Sequence, residues 1–391
     1  MNRHSSNCRM ARLRRGFEQF LGPLLFLALL LVGCESPSPH KAQATPTRSS
    51  APQAGSSSGT PAWRIAYLGT DGRMHTVRPD GTDDHAGLLL PMPGALRLQN
   101  LAIPGGGRLS PDGRYLVYDG VIAQSTVPDG SGTMQFTFGA GGYEFAWAPN
   151  GTHLAVNRDG EGSLRIVDTS GHITSIPRTP QNAPGELITN LLGWIDGAHL
   201  AVRVLQSSSV AVGSLDTASG ALRVLASVPM QNLGTDKWLL SPDGREALLY
   251  NIPFRADPYT PIVDVIDTAS GRVRSLPTIA RTIGHGFSTL VWKPGAELAA
   301  ASTGYVETSD LKGWLLDLSR DTVTHLVDGQ YAEGWAPDNG PLVLGTGWEA
   351  IVGYGPFELS AVTFSASGAP NLVPLTASAM TFPFLGLMPA S

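Results

Sequence analysis

Leu240-Ser241-Pro242-Asp243-Gly244-Arg245 recurs in weaker copies along almost the whole chain. The copies are Leu109-Ser110-Pro111-Asp112-Gly113-Arg114, Trp147-Ala148-Pro149-Asn150-Gly151, Trp292-Lys293-Pro294-Gly295 and Trp335-Ala336-Pro337-Asp338-Asn339-Gly340, with a degenerate Trp194-Ile195-Asp196-Gly197 between them. Each is a turn: proline presets φ, Asp or Asn caps with its side chain, and Gly takes the positive-φ position that a Cβ disfavours. A turn of one chemistry returning every 38 to 52 residues marks an array of equal supersecondary units.

From Trp63 onward the chain reads as short β-rich runs, with no sustained helical period. The runs fall into sets of four. Innermost strands are expected near 100–109, 143–148, 190–195, 236–241, 288–293 and 332–336, each running into its Pro/Asp/Gly turn. Third strands lead into a second recurrent turn, Asp168-Thr169-Ser170-Gly171, Asp216-Thr217-Ala218-Ser219-Gly220 and Asp267-Thr268-Ala269-Ser270-Gly271, suited to a tight hairpin. The first set, Arg64–Leu68, Met74–Val77 and Gly87–Leu90, lacks an innermost strand, while Met380–Leu387 is one strand too many at the other end. Ring closure resolves both. The expected fold is an all-β, seven-bladed β-propeller of four-stranded antiparallel blades over residues 63–391, with the C-terminal strand completing the first blade.

The turn and its preceding Trp or Leu resemble the repeat of TolB-like and WD-repeat-like propellers, with departures at Ile195 and Gly295. The resemblance covers the whole body and implies the fold. It leaves function open, since such propellers serve as scaffolds, periplasmic binding proteins and accessory domains of peptidases.

Composition narrows the classes. Of 391 residues 42% are hydrophobic and 15% charged, and only four of the 27 basic residues are lysines. Without the first 33 residues the formal charge moves from −5 to −9, so no basic face for nucleic acid is expected. The two cysteines, Cys8 and Cys34, both precede the repeats, which leaves the body without a disulfide framework or a thiolate metal site.

Residues 1–33 read as an export signal, with Arg3, Arg9, Arg12, Arg14 and Arg15 ahead of an apolar stretch from Leu21 to Val32. Leu31-Val32-Gly33-Cys34 resembles the lipobox of bacterial lipoproteins, which implies a lipidated Cys34 and stable membrane anchoring by two or three acyl chains. An uncleaved signal anchor is the alternative. Arg14-Arg15-Gly16-Phe17 partly resembles a twin-arginine signal, so both general and twin-arginine export stay open. Residues 34–62 are rich in Ser, Pro and Ala and form the expected tether.

Catalytic motifs are scarce. Gly55-Ser56-Ser57-Ser58-Gly59 fits a nucleophile elbow in letters alone, because it lies in the tether. No zinc-protease, phosphate-loop or dinucleotide fingerprint occurs, and neither metal nor cofactor is expected. His153 and His199 hold equivalent repeat positions and are assigned to packing, and Asp80-Gly81-Thr82-Asp83-Asp84 to a solvated turn. Trp147, Trp194, Trp292 and Trp335 are assigned to the core.

Topology places both recurrent turns on one face and the irregular loops on the other. Three of those loops are long and carry Phe254, Arg255, Asp257, Tyr259, Tyr305, Glu307, Trp348, Glu349 and Tyr354, with Arg281 and His285 arriving from a neighbouring connection. Aromatic and Arg side chains on loops of a rigid scaffold make these the candidate ligand-binding residues. The expected function is a membrane-anchored extracytoplasmic lipoprotein that binds or scaffolds a protein or envelope polymer. The alternatives are a lyase or glycosidase of envelope polysaccharide using Asp257, Glu307 and Glu349, or a sensor subunit of a membrane complex.

Overall fold

The computed structural model describes residues 63–69, 71–90, 109–118, 121–125, 134–135, 143–158, 164–176, 186–230, 234–253, 261–284, 287–304, 311–337, 340–346, 358–365, 368–375 and 384–390. The chain divides into two units, Met1–Ser58 and Gly59–Ser391, and all described residues belong to the second. The expected signal, Cys34 and most of the tether fall in the first, outside the described residues.

The second unit is a β-propeller of four-stranded antiparallel sheets. Numbered along the chain, sheet I runs from the inner strand outward as Phe384–Pro389, Trp63–Leu68, Arg73–Val77 and His85–Leu89. Sheet III is Tyr143–Trp147, His153–Arg158, Leu164–Asp168 and Ile173–Ser175; sheet IV is Leu187–Trp194, His199–Leu205, Ser209–Asp216 and Leu222–Pro229. Sheet V is Thr235–Leu240, Glu246–Ile252, Ile262–Asp267 and Val273–Ser275; sheet VI is Phe287–Trp292, Leu298–Thr303, Lys312–Asp317 and Thr322–Asp328. Sheet VII is Tyr331–Trp335, Leu342–Thr346, Glu358–Phe364 and Pro370–Pro374.

The expectation of seven four-stranded sheets is therefore met at six. Sheet II has three strands, Tyr115–Tyr118, Val121–Gln124 and Met134–Gln135. Where its inner strand is expected, Leu109 makes a single bridge to Leu116, and residues 100–108 lie outside the described residues.

Closure runs through sheet I, where Phe384–Pro389 pairs with Trp63–Leu68 in the register Trp63↔Pro389, Ile65↔Leu387 and Tyr67↔Phe384. The strand lies slightly later than the expected 380–387. Second strands such as His199–Leu205 and Glu246–Ile252 are apolar without alternation because neighbouring sheets cover both of their faces. Outer strands such as Thr322–Asp328 are mostly exposed. Apolar clusters sit between consecutive sheets all the way round, for example Leu248, Tyr250, Ile279 and Trp292 between V and VI, and Ile65, Tyr67, Val343 and Leu359 between VII and I. Trp194, Trp292 and Trp335 are buried in these clusters and Trp147 packs against one, in line with their core assignment.

The repeated turn is built as its sequence implies. Ser241 Oγ donates to Asp243 Oδ1 (2.8 Å) and accepts from Glu246 N (2.9 Å), while Asp243 Oδ1 accepts from Arg245 N (3.2 Å). Ser110, Asp112, Arg114 and Tyr115 repeat that pattern atom for atom. Gly244, at φ 72°, does more than turn: a Cβ there would lie 2.5 Å from the carbonyl carbon of Ile195 in the preceding sheet's turn. The second recurrent turn is stitched to the first, since Thr268 Oγ1 donates to Gly244 O (2.7 Å) and Thr217 Oγ1 to Ala198 O (2.9 Å). Both recurrent turns thus share one face, as expected.

One element has no counterpart in the sequence reading. Pro277–Ile283 is a helix between sheets V and VI, with proline in its first turn and Ile279, Ala280 and Ile283 buried. Its own N-cap, Leu276, offers no side-chain acceptor. Asp321, from the outer hairpin of sheet VI, supplies one instead, accepting from Thr278 N (2.8 Å) and Ile279 N (3.0 Å).

Candidate functional site

Ten of the eleven expected ligand-binding residues, Phe254, Arg255, Asp257, Tyr259, His285, Tyr305, Glu307, Trp348, Glu349 and Tyr354, lie outside the described residues. The eleventh, Arg281, is exposed on the helix, where its Nε donates to Pro277 O (3.3 Å). What the structure does describe is the inner rim of the ring, where polar side chains of the inner strands meet.

An inner strand has one edge without a partner strand, so its polar groups must be satisfied across the junction between sheets or by water. Glu144 of sheet III accepts from Asn157 Nδ2 (2.8 Å), Asn190 Nδ2 (2.5 Å) and Leu191 N (2.6 Å), the last two from sheet IV. Arg203 of sheet IV forms a two-pronged pair with Asp236 of sheet V at 2.9 and 3.2 Å, and Trp238 Nε1 adds a third donor at 2.6 Å. Lys237 Nζ donates to Phe287 O of sheet VI (2.7 Å) and lies 5.4 Å from that ring's centre; desolvation holds its ammonium below the usual lysine range. Ser302 Oγ of sheet VI accepts from Ala332 N of sheet VII (3.0 Å), and Leu109 N donates to Leu385 O (3.2 Å) between sheets II and I. These ties lock neighbouring sheets in register around the ring.

Glu333 departs from the pattern. It is the extra residue of a bulge in the inner strand of sheet VII, where Ala332 pairs with Leu344 and Gly334 with Val343. Bulges re-aim a side chain out of the pleat. Protein surrounds it, yet it keeps some accessible surface. Its one hydrogen-bond donor among the described residues is the Tyr331 hydroxyl. Desolvation pushes its carboxyl up to about 8, against the opposing pull of that hydrogen bond. Burial likewise raises the Tyr331 phenol far above its ordinary value. Next to it, Gly334 leaves room for the Phe384 ring, which a Cβ would approach to 2.5 Å.

A second polar group crosses sheet I. Tyr67 OH donates to Asp84 Oδ2 (2.7 Å), and the His75 ring contacts Asp84 and Asp71, both at 3.1 Å. The Tyr67 phenol is raised far above its usual value, first by burial and then by Asp84. Asp83, expected in a solvated turn, joins Arg64 (2.7 Å), Arg78 (3.0 Å) and His85 (2.6 Å). The turn is thus ion-paired at Asp83, while Asp80, Thr82 and Asp84 stay exposed, in keeping with a solvated turn. His199 is tied within its own hairpin, to Asp196 at 2.9 Å and Asp216 at 3.6 Å, while His153 contacts Thr152 Oγ1 (2.8 Å). Among the described residues no three His, Cys, Asp or Glu side chains converge as metal ligands.

Sequence reasoning passed over Glu333 and Lys237. The signal was present as charged letters within otherwise apolar inner strands, Glu333 in Tyr331–Trp335 and Lys237 in Thr235–Leu240.

No protein family model and no curated protein matches this chain. Among solved structures it is similar to TolB from Acinetobacter baumannii, at 13% identity over 84% of this chain and 83% of that one, with a TM-score of 0.42. It is similar to a putative TolB from Agrobacterium tumefaciens at 15% identity, covering 64% and 90% of the two chains with a TM-score of 0.41. A puromycin hydrolase S511A mutant complexed with PGG aligns at 13% identity and a TM-score of 0.50 over 82% of this chain, which spans 53% of that enzyme. At these identities the likeness is one of fold alone, and the propeller itself rests on the order of the sheets.

Proposed function

We propose that the chain is a seven-bladed propeller, with sheet II as the seventh blade, anchored outside the cytoplasm through a lipidated Cys34 and acting as a binding or scaffolding module of the cell envelope. The ring of cross-sheet ties is the observation that carries the reading. Glu144, Arg203, Asp236 and Lys237 are spent on holding sheets together, and the aspartates of the recurrent turns are spent on their own hairpins. That is the construction of a rigid platform, which leaves recognition to the axis and to the irregular face. The experiment is to express the full chain with an alkyne-tagged palmitate and compare it with Cys34→Ser. Label and membrane association in the wild type, both lost in Cys34→Ser, support the anchored module. Label retained by Cys34→Ser, or a wild type found in the soluble fraction, sinks it.

A further inference from the structure

Among the described residues Lys237 is the only cation carried on an inner strand. It is exposed, and it stands in the half of its strand away from the recurrent turn, on the side from which the loop after Ile252 departs. Its ammonium reaches across to sheet VI, where it donates to Phe287 O (2.7 Å) and lies 5.4 Å from the centre of that ring. Tyr250, its direct cross-strand partner, is buried beside it, with the ring 4.8 Å from Phe287 and the hydroxyl donating to Gly284 O (3.2 Å).

No described carboxylate forms an ion pair with this ammonium. The adjacent acid, Asp236, is engaged by Arg203 and by Trp238 Nε1. An ammonium set on an aromatic floor without a counter-charge gives up hydration for little return. The ring face favours the charged form, and desolvation outweighs it, holding the group below the usual lysine range. The tie to sheet VI survives loss of the proton. A carboxylate partner would demand the ammonium, whereas a carbonyl takes a single N–H, and a neutral amine has two. The amine thus holds Phe287 O and still carries a free lone pair, the condition of a nucleophilic lysine.

We propose that Lys237 is the nucleophile of a covalent binding site that takes a small aldehyde and holds it as an imine. The Nζ lone pair adds to the aldehyde carbon and a C–N bond forms. The carbonyl oxygen then leaves as water, taking both amine protons through solvent, with no net oxidation or reduction. Protonated from solvent, the imine keeps one N–H for Phe287 O. The site rests on the reading of the chain as a binding module and adds a ligand class to it; the lipid anchor is tested separately through Cys34.

The chain has four lysines, Lys41, Lys237, Lys293 and Lys312, so peptide mapping follows each one separately. In the test, the full chain is treated with propanal and cyanoborohydride, which reduces an imine to a stable secondary amine. Mass spectrometry then reads the labelling rate of every lysine from about pH 7 to about pH 10. At about pH 7 Lys237 should be labelled at least about threefold faster than the exposed Lys312. The gap should close toward about pH 10, where ammonium groups in general give up their protons. Denaturing the chain should abolish the preference, and propanoate, an anion of the same size, should give Lys237 no protection. Labelling of Lys237 no faster than that of Lys312 at about pH 7 overturns the proposal. So does a preference that persists in the denatured chain, which would come from local sequence, or protection by propanoate, which would make Lys237 the cation of an anion site.

Discussion

Replacing Gly244 by Ala should cost far more than the same change at Gly295, although both glycines have nearly the same backbone conformation, at φ 72° and 71°. Either substitution places a Cβ in the left-handed region, at a cost of about 1 kcal/mol. At Gly295 nothing lies within 4 Å of the new atom, and the cost stops there. At Gly244 the atom would come within 2.5 Å of Ile195 C and 2.6 Å of Ile195 Cα, where real contacts essentially never fall below 3.0 Å. The obstacle is backbone, which cannot rotate aside, so the turn of sheet V must move off the turn of sheet IV. Overpacking of that kind costs about 1 to 3 kcal/mol, and a backbone obstacle belongs at the upper end. Gly244→Ala should thus lose about 4 kcal/mol and Gly295→Ala about 1. Urea unfolding of the full chain, followed by tryptophan fluorescence, measures both. Equal losses at the two sites would show that the glycine serves only its own turn, and the argument that it fixes the spacing between sheets would be refuted.

Glu333→Gln should change how stability depends on pH. The carboxyl's folded-state value, about 8, lies above its unfolded value of 4.5, so its contribution is intact below pH 4.5 and is lost as pH rises through 8. The variant should match the wild type near pH 4.5 and exceed it at pH 8 by at most about 5 kcal/mol, and parallel stability profiles from pH 4.5 to 8.5 would contradict this. Asp321→Ala removes the borrowed cap of the helix Pro277–Ile283 and should cost about 1 to 2 kcal/mol, with Asp321→Asn recovering much of it. Hydrogen exchange at Thr278 and Ile279 reads this directly, and unchanged protection in Asp321→Ala would count against the cap. Arg203→Ala and Asp236→Ala should each cost about 3 kcal/mol by stranding a largely buried charge, while the double variant costs well short of the sum. A double-mutant cycle by urea unfolding checks this, and strictly additive losses would mean the pair does not join the sheets.

The repeated turn could be read before the fold was known because its chemistry is local. Pro242, Asp243 and Gly244 set dihedrals and hydrogen bonds within six residues, and the same letters produce the same contacts at Ser110–Tyr115. What Gly244 does to Ile195 was not legible, since no local pattern records how closely two sheets approach. The helix Pro277–Ile283 escaped for two reasons. Two turns are too short to display a period, and the group that caps it lies 43 residues away in another sheet. Glu333 was passed over, because its placement depends on a bulge that slips the register by one residue. The candidate loop residues were chosen because their segments do not repeat. That same irregularity gives sequence patterns nothing to place them by.

Trp63 and Pro389 are direct cross-strand partners. The first and last strands of the ring thus lie side by side, and a few residues of linker would join them without disturbing a single pairing. The strand order of the ring has no privileged starting point, and a new pair of ends cut into any exposed hairpin, such as that at Ser207-Ser208, should give a circular permutant with the same sheets. In such a permutant the inner and second strands of sheet I would be joined like those of every other four-stranded sheet. Comparing its unfolding rate with that of the natural order would measure how firmly the ring is held shut by pairing alone.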